Sequence, residues 1–489
     1  MAPPRTVFAL LSAAHTDAPV LTGDGVSLNQ GELLDRVDAL ARWMAGAGAG
    51  RHDRIALVTR NGPEAALAFI AASIAGVAAP LNPSYTRAEF EFSLRDLPAR
   101  LLVTDGLSPA ASEAANSCGI PEIRLSAGAP GPGPSLPFEP PSPADVALVL
   151  HTSGTTGIPK RGPLTHANLT ASAANIASTL GLAPGDRCLN VMPLFHIHGL
   201  IGAVLASLHA GSEVFCTPGF DAFQFWRRVE EVRPTWYSAV PSMHQAILSR
   251  APDRPPASLR FVRSASSSLA PVLIAELEAN LGVPVIEAYG MTEAAHQVAS
   301  NPLPPGQRRP GSVGLPAGVE VQVFAPDGQA VVAGTRGEVC IRGASVTAGY
   351  EGIDPATTTF PGGWLRTGDE GLLDDAGYLW LTGRIKELIN RGGEKVSPVE
   401  VEAVLLEHPA VAQVVVFALP HPSLGQEVAA ALVPVDKAAG VAVADLRRFA
   451  SERLAPFKVP RKFVVLDAIP LGPTGKPQRS SMAERLGLA

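Results

Sequence analysis

The sequence predicts an α/β protein of several packed units, with a β-rich section from about residue 311 and a small α+β unit at the C-terminal end. Three observations predict it. As far as residue 289, apolar runs that read as strands alternate with helical patterns, which implies parallel or mixed sheets covered by helices. From about Gly311 the texture turns to short strands separated by glycine turns. A second change near Arg384 opens a closing stretch of mixed helix and strand, so the expected division is residues 1–385, with a β-rich part at about 311–385, and residues 386–489.

Taken in order, residues 31–45 space Leu33, Leu34, Val37, Leu40 and Trp43 as a helix does. Residues 46–50, GAGAG, imitate a dinucleotide fingerprint but precede a strand instead of following one, so they read as a loop. Residues 54–59 and 101–104 read as strands. Residues 65–79 form a run of 15 apolar residues ended by Pro80, too short to cross a membrane, and read as a buried helix. Residues 127–143 are dense in Pro and Gly and read as an exposed connection. Residues 146–150 predict a buried strand, 164–180 a helix, and 236–240, 260–264 and 283–289 further strands. In the β-rich part, 320–324 and 337–342 read as strands. Beyond it come a helix at 399–406, strands at 411–419 and 427–434, a helix at 443–454 and a strand at 463–466.

Composition bounds the function. Of the 489 residues, 46% are hydrophobic and 17% charged, which describes a globular chain with an ample core. A net charge of −6 without a long basic run argues against nucleic acid as a partner. Cys118, Cys188, Cys216 and Cys340 are scattered, with no C-x-x-C pair, which argues against a zinc site or a disulfide framework and suits a reducing, cytoplasmic setting. Residues 7–14 have the apolar look of a signal peptide, but one basic residue and a short run fit an amphipathic helix better. No membrane association is expected.

Five stretches carry chemistry. Residues 151–160, HTSGTTGIPK, gather hydroxyls, glycines and a lysine directly after a strand. Exposed N–H groups, hydroxyls and an ammonium suit a polyphosphate, although the Walker A pattern is absent and a Thr/Gly-rich turn is the plain alternative. Residues 287–294, EAYGMTEA, offer an aromatic face, a hydroxyl and a carboxylate suited to Mg²⁺. Residues 363–369, GWLRTGD, hold an Asp able to accept from two ribose hydroxyls. Residues 383–398, GRIKELINRGGEKVSP, form a basic, glycine-containing segment at the expected boundary, and 470–476, PLGPTGK, place Gly-Lys on a loop. Singly, Tyr289 reads equally well as core, Asp369 as a turn residue and Lys476 as a solvated lysine.

Together and in this order, these stretches resemble the adenylate-forming superfamily of acyl-CoA synthetases, luciferases and adenylation domains, over essentially the whole chain. The resemblance implies a large N-terminal domain and a mobile C-terminal one, with ATP, CoA and Mg²⁺ as cofactors. By motif, Thr152, Ser153, Gly154, Thr155, Thr156, Gly157 and Lys160 would hold the ATP β- and γ-phosphates. Glu287, Ala288, Tyr289 and Gly290 would border the nucleotide, with Tyr289 on adenine. Thr292 would contact the α-phosphate and Glu293 hold Mg²⁺. Asp369 would bind the ribose with Arg384 nearby, Lys386 would be the hinge, and Lys476 would bridge the attacking carboxylate and the α-phosphate. Arg391, Gly392 and Gly393 would face the site during thioester formation. Residues 470–476 also resemble an acetylation motif of bacterial relatives, which implies a lysine acetyltransferase acting on Lys476. Two departures stand out: Arg161 replaces the usual Gly after the loop lysine, and Pro477 follows Lys476 where a β-branched residue is common.

For the acid, His196, His198, Ser266, Ser267, Ser268 and His296 mark a pocket poor for alkyl chains and rich in donors for a second carboxylate. PLFHIHGL, SASSSLAP and MTEAAHQVASNPLP resemble the oxalyl-CoA synthetase subgroup, implying oxalate as the acid. Other readings stay open: malonate or another short acid, a fatty acid, an adenylation enzyme loading a carrier protein, or a non-catalytic binder of acyl-adenylates. The last is disfavoured by the joint presence of Thr292, Glu293, Asp369 and Lys476.

Overall fold

β-Branched and aliphatic runs collect into two large sheets that share one core. In the computed structural model, which describes residues 5–12, 17–125, 135–152, 160–253, 255–438, 440–471, 477 and 479–488, one sheet has six strands. Their order is Glu122–Arg124, Ala99–Thr104, Arg54–Val58, Val77–Pro80, Val146–Thr152 and Lys160–Thr165, parallel except for the last pair. The nine-stranded sheet holds five neighbouring parallel strands: Val285–Met291, Phe261–Ser264, Trp236–Ala239, Arg187–Asn190 and Glu213–Cys216. Pro19–Gly23 extends this row in parallel, and the antiparallel strands Val26–Asn29, His296–Ser300 and Leu315–Pro316 complete the sheet.

The helix Pro63–Ala75 is buried at every residue except Glu64, as expected of a helix apolar on all faces. Its core cluster joins Ile55, Leu57 and Leu148 of the first sheet to Leu21, Val214 and Trp236 of the second. The apolar run 65–79 is therefore not one helix. It breaks at Gly76, where an added Cβ would lie 2.7 Å from the Asp53 carbonyl, and Val77–Pro80 continues as a strand. The helix expected at 164–180 likewise starts later. Residues up to Thr165 pair with Val146–Thr152, and Thr165 caps the helix His166–Thr179 through a capping box with Asn168.

A third, antiparallel sheet holds Glu320–Phe324, Gly337–Arg342, Trp364–Leu373 and Leu379–Arg384, with the short strand Thr359–Phe360 at its edge. The fourth sheet pairs Val411–His421 with Gly425–Pro434 and flanks them with Lys462–Val465 and the hairpin Ile389–Arg391/Glu394–Val396. That hairpin turns through Gly392 and Gly393 at φ +61° and +93°, the two left-handed residues a tight primed turn needs. No helix among the described residues is long and apolar enough to cross a membrane.

Arg479 secures this last unit to the segment that enters it. Its guanidinium pairs with Glu387, bonds Glu402 at 2.9 and 3.0 Å, and donates to the Val416 carbonyl at 2.8 Å. Burial pushes the Glu402 carboxyl up, while Arg479 acts to lower it. Removing the cation would strand that carboxylate. Arg479→Met is expected to destabilise the C-terminal unit by about 3 kcal/mol. Hydrogen exchange over residues 398–434 checks it: protection there should fall while that of residues 54–80 is kept.

Candidate active site

The site is built on one segment. The strand Val285–Met291 runs into a tight turn, Thr292–Ala294, and returns as His296–Ser300. The reversal is close enough that a Cβ on Gly290 would lie 1.6 Å from the His296 carbonyl oxygen. Ala295 and His296 take φ of +49° and +101°, left-handed values that L-residues hold only at a cost of roughly 1–3 kcal/mol each. Such strain is common at functional sites.

Ahead of the turn, Tyr289 is packed among Val319, Leu365 and Leu379, and its hydroxyl donates to Asp369. Asp369, 5% exposed, also takes the Arg384 guanidinium at 3.0 Å from the neighbouring strand. Burial pushes its carboxyl up; Arg384 and the Tyr289 hydroxyl oppose that shift. Tyr289, Asp369 and Arg384 thus form one group. Ala288 and Glu287 are buried. Glu287 accepts from the amides of Leu269 at 3.3 Å and Gly311 at 3.2 Å, so in this structure it braces two loops.

After the turn comes the base of the Ser/Thr/Gly loop. Ser153, Gly154, Thr155, Thr156 and Gly157 lie outside the described residues. Its two ends are described: Thr152 and Lys160 face each other in register. A methyl on Gly162 would touch both Thr152 and Thr292, which places Thr292 beside this base. The Lys160 ammonium lies 4.6 Å from the centre of the Tyr350 ring, and the Tyr350 hydroxyl donates to Glu293 at 2.7 Å. Arg161 does not loosen the exit. It bonds the Asp96 carbonyl at 2.5 Å and Glu351 at 3.1 Å, while Arg54 meets Glu351 at 2.5 Å, so the strand is fastened on two sides.

The third group is a buried polar floor. His198 opens a π-helix, His198–Leu205, a wide turn that often marks functional positions. Its ring stacks on His296 at 4.7 Å and 24°. Gly202 makes room, since a Cβ there would come within 2.6 Å of His296 and 3.2 Å of His198. His198 Nδ1 bonds Ser266 at 3.1 Å and Nε2 bonds Ser238 at 2.6 Å. His196 is half-buried, and its Nδ1 accepts from the His198 amide at 3.2 Å. Of the three serines only Ser266, at φ +75°, joins this floor. Ser267 and Ser268 are exposed, and no described hydrogen bond joins either to this floor. The chain leaves the strand Phe261–Ser264 at Ser264, and the left-handed Ser266 then turns the next two side chains outward.

Sequence reasoning missed Tyr350, Ser238, Gly202 and Arg263. Arg263 had a legible signal, a cation inside the apolar strand Phe261–Ser264; the others had none. Lys476 lies outside the described residues, but the ends of its loop do not: Leu471 and Pro477 form an antiparallel bridge. Leu471 also lines a cavity of about 620 Å³ with Asn61, Pro193, Phe195 and Gly219. Arg391 is paired with Glu427 at 2.5 Å, and Lys386 is exposed on the turn after Arg384.

Known proteins with the same architecture decide the family. The AMP-binding enzyme family model matches residues 9–351, and the AMP-binding enzyme C-terminal domain matches 400–476. The chain belongs to the AMP-binding enzyme family. It is an AMP-forming acid–CoA ligase with the adenylate-forming fold. It is 43% identical to an oxalate–CoA ligase of Arabidopsis thaliana, covering 93% of this chain and 92% of the relative. It is 37% identical to a sulfoacetate–CoA ligase of Cupriavidus necator, over 97% and 96%. Among solved structures, ATP-bound MatB from Rhodopseudomonas palustris superposes with a TM-score of 0.90 at 28% identity, over 98% of both chains. The apo form of that protein reaches 0.80, again at 28% identity and 98% coverage of both. The ligase family acts on ATP and CoA together with an acid.

Glu287 gives this site a pH signature. Burial raises its carboxyl to about 7, and the two amides only partly oppose this. A carboxyl raised in the folded state favours folding while it is protonated. That contribution is complete below about pH 4.5 and is lost as pH rises through about 7, a change on the order of 3 kcal/mol. Urea midpoints measured across that window should fall with pH in the native enzyme, and Glu287→Gln should flatten that part of the profile.

Proposed function

We propose that this ligase activates oxalate, forming oxalyl-CoA, AMP and pyrophosphate from oxalate, ATP and CoA. The observation that carries the reading is the floor formed by His198, Ser266 and His296. A fatty acid needs apolar walls worth about 0.8 kcal/mol per buried CH₂. Imidazole and hydroxyl groups are poor neighbours for such a chain but good donors to a second carboxylate. The 43%-identical relative named as an oxalate–CoA ligase supports the same choice.

In the first half-reaction a carboxylate oxygen attacks the α-phosphorus, a C–O–P anhydride forms and pyrophosphate leaves. Both reactants are anionic, so the protein must offset their repulsion. Lys160 and the Ser/Thr/Gly loop hold the outgoing phosphates, Thr292 meets the α-phosphate, and Lys476 bridges the two reactants. Asp369 and Arg384 hold the ribose, and Tyr289 borders the adenine. Glu293 would hold Mg²⁺: through Tyr350 its carboxylate stands beside Lys160, and Mg²⁺ is commonly held by one or two carboxylates plus substrate phosphates. When bound, it would spread phosphate charge.

In the second half-reaction the CoA sulfur attacks the acyl carbon, the thioester forms, AMP leaves and the thiol proton is released. The C-terminal unit turns about Lys386 between the two steps, and the hairpin carrying Arg391, Gly392 and Gly393 comes to the cleft. Two observations support an arrangement suited to the first step: Leu471 lines the cavity beside Pro193, and the overlay on ATP-bound MatB exceeds that on the apo form.

A second reading, sulfoacetate, is favoured by the 37%-identical relative, because the same donors suit a sulfonate. A panel of oxalate, malonate, sulfoacetate and medium-chain fatty acids in ATP–pyrophosphate exchange decides. Oxalate should give the highest kcat/KM, and a fatty acid ahead of it sinks the pocket argument. Lys476→Ala should lower exchange on the order of 10²–10³-fold while thioester formation from supplied acyl-AMP continues. Unchanged exchange would remove Lys476 from its role.

A further inference from the structure

Beneath the two stacked histidines lies a cation with no counter-charge among its described partners. Arg263 is 0% exposed and sits mid-strand, in register with Ser238 on the next strand. Its described partners are neutral: His296 Nε2 at 2.9 Å, the Gln297 side-chain oxygen at 3.0 Å and the Ser238 hydroxyl at 3.4 Å. Gln297 is committed in turn to Thr179 at 3.2 Å. The Arg263 Nε–H has no partner among the described residues. Burying an isolated charge is strongly unfavourable, and neutral dipoles compensate it only in part. Burial lowers the Arg263 guanidinium to about 10, which still leaves it charged at neutral pH.

The guanidinium also fixes the direction of the hydrogen bond it makes to His296. An arginine N–H only donates, so His296 Nε2 must accept, and its ring carries its proton on the opposite nitrogen, Nδ1. A third proton arrangement, the doubly protonated imidazolium, is barred by the same contact. Ser238 accepts from the cation through one lone pair at 3.4 Å, which leaves its own proton to be given to His198 Nε2 at 2.6 Å. His198 then carries its proton on Nδ1 and donates to Ser266 at 3.1 Å. With its oxygen accepting, the Ser266 hydroxyl proton is left to donate.

We propose that Arg263 is the positioning residue that makes this pocket select a doubly anionic acid. It sets His296, His198 and Ser266 as donors, and its positive charge is offset by the acid's distal anionic group. The proposal rests on the reading of a small di-acid as substrate and adds the residue that enforces it. Both histidines, which carry the chemistry of an acid–base pair, are held neutral here and act as fixed donors.

The test uses the full chain. In the native enzyme, ¹⁵N spectra of labelled histidine, assigned with His198→Gln and His296→Gln, should show both rings neutral and protonated on Nδ1 from about pH 5 to 8. Protonation on Nε2, or ordinary titration of either ring, overturns the proposal without any Arg263 variant having to fold. Steady-state rates with oxalate and with propionate then test selection. Arg263→Met should raise KM for oxalate roughly 10- to 100-fold, leave KM for ATP unchanged, and reduce the oxalate preference by a similar factor. Arg263→Lys should recover part of that preference. An unchanged oxalate-to-propionate ratio in Arg263→Met overturns the inference. Failure of the oxalate reading would appear separately, in the native enzyme's own substrate panel.

Discussion

The tight reversal between Gly290 and His296 is the constraint on which the site depends. The missing side chain at Gly290 lets the His296 carbonyl approach its Cα, and two left-handed residues complete the turn. The turn sends Thr292 and Glu293 towards the base of the Ser/Thr/Gly loop and returns His296 beneath the π-helix. Thr292, Glu293 and His296 are therefore set by one short piece of backbone. Their spacing does not rely on separate loops finding each other. Buried neighbours hold the strain: Ser172 donates to the Ala295 carbonyl at 2.6 Å and Thr347 to the Glu293 carbonyl at 2.8 Å.

The parallel strands explain why the groups meet there. Arg187–Asn190, Trp236–Ala239, Phe261–Ser264 and Val285–Met291 end on the same side of the large sheet, where open α/β sheets place their ligands. Beyond those ends the chain must turn, and backbone groups freed from the ladder stand beside Ser266 and Thr292. The buried polar floor is costly in apolar terms, because its core volume holds His198, His296 and Arg263 instead of aliphatic side chains. Under the oxalate proposal, this composition suits a small charged acid better than an alkyl chain, whose burial aliphatic side chains would have rewarded.

The two lysine-bearing loops share one construction. Thr152 faces Lys160 in the first, and Leu471 faces Pro477 in the second, so each loop leaves and re-enters through a paired base. Arg161 and Pro477, both departures from the family pattern, belong to these bases. The second base belongs to the C-terminal unit, which Arg479 ties to Glu387 next to Lys386.

The sequence by itself determined the family, the α/β alternation and most strands, because these follow from local period and from motifs whose order is specific. Strands such as Glu320–Phe324 and Gly337–Arg342 could be read residue by residue. Where apolar runs 65–79 and 164–180 changed from helix to strand or strand to helix was not legible, since an apolar run fits either state and the packing around Gly76 and the pairing of residues 160–165 decided it. The histidines could be singled out by type, but not their stacking, nor which serine reaches them. Tertiary structure alone placed Tyr350 between Lys160 and Glu293, and Arg263 beneath His296, from positions 57 and 33 residues away in the chain. No local pattern encodes such contacts. They arise because a strand's register decides which side chains share a buried row, and burial sets Arg263 among neutral partners.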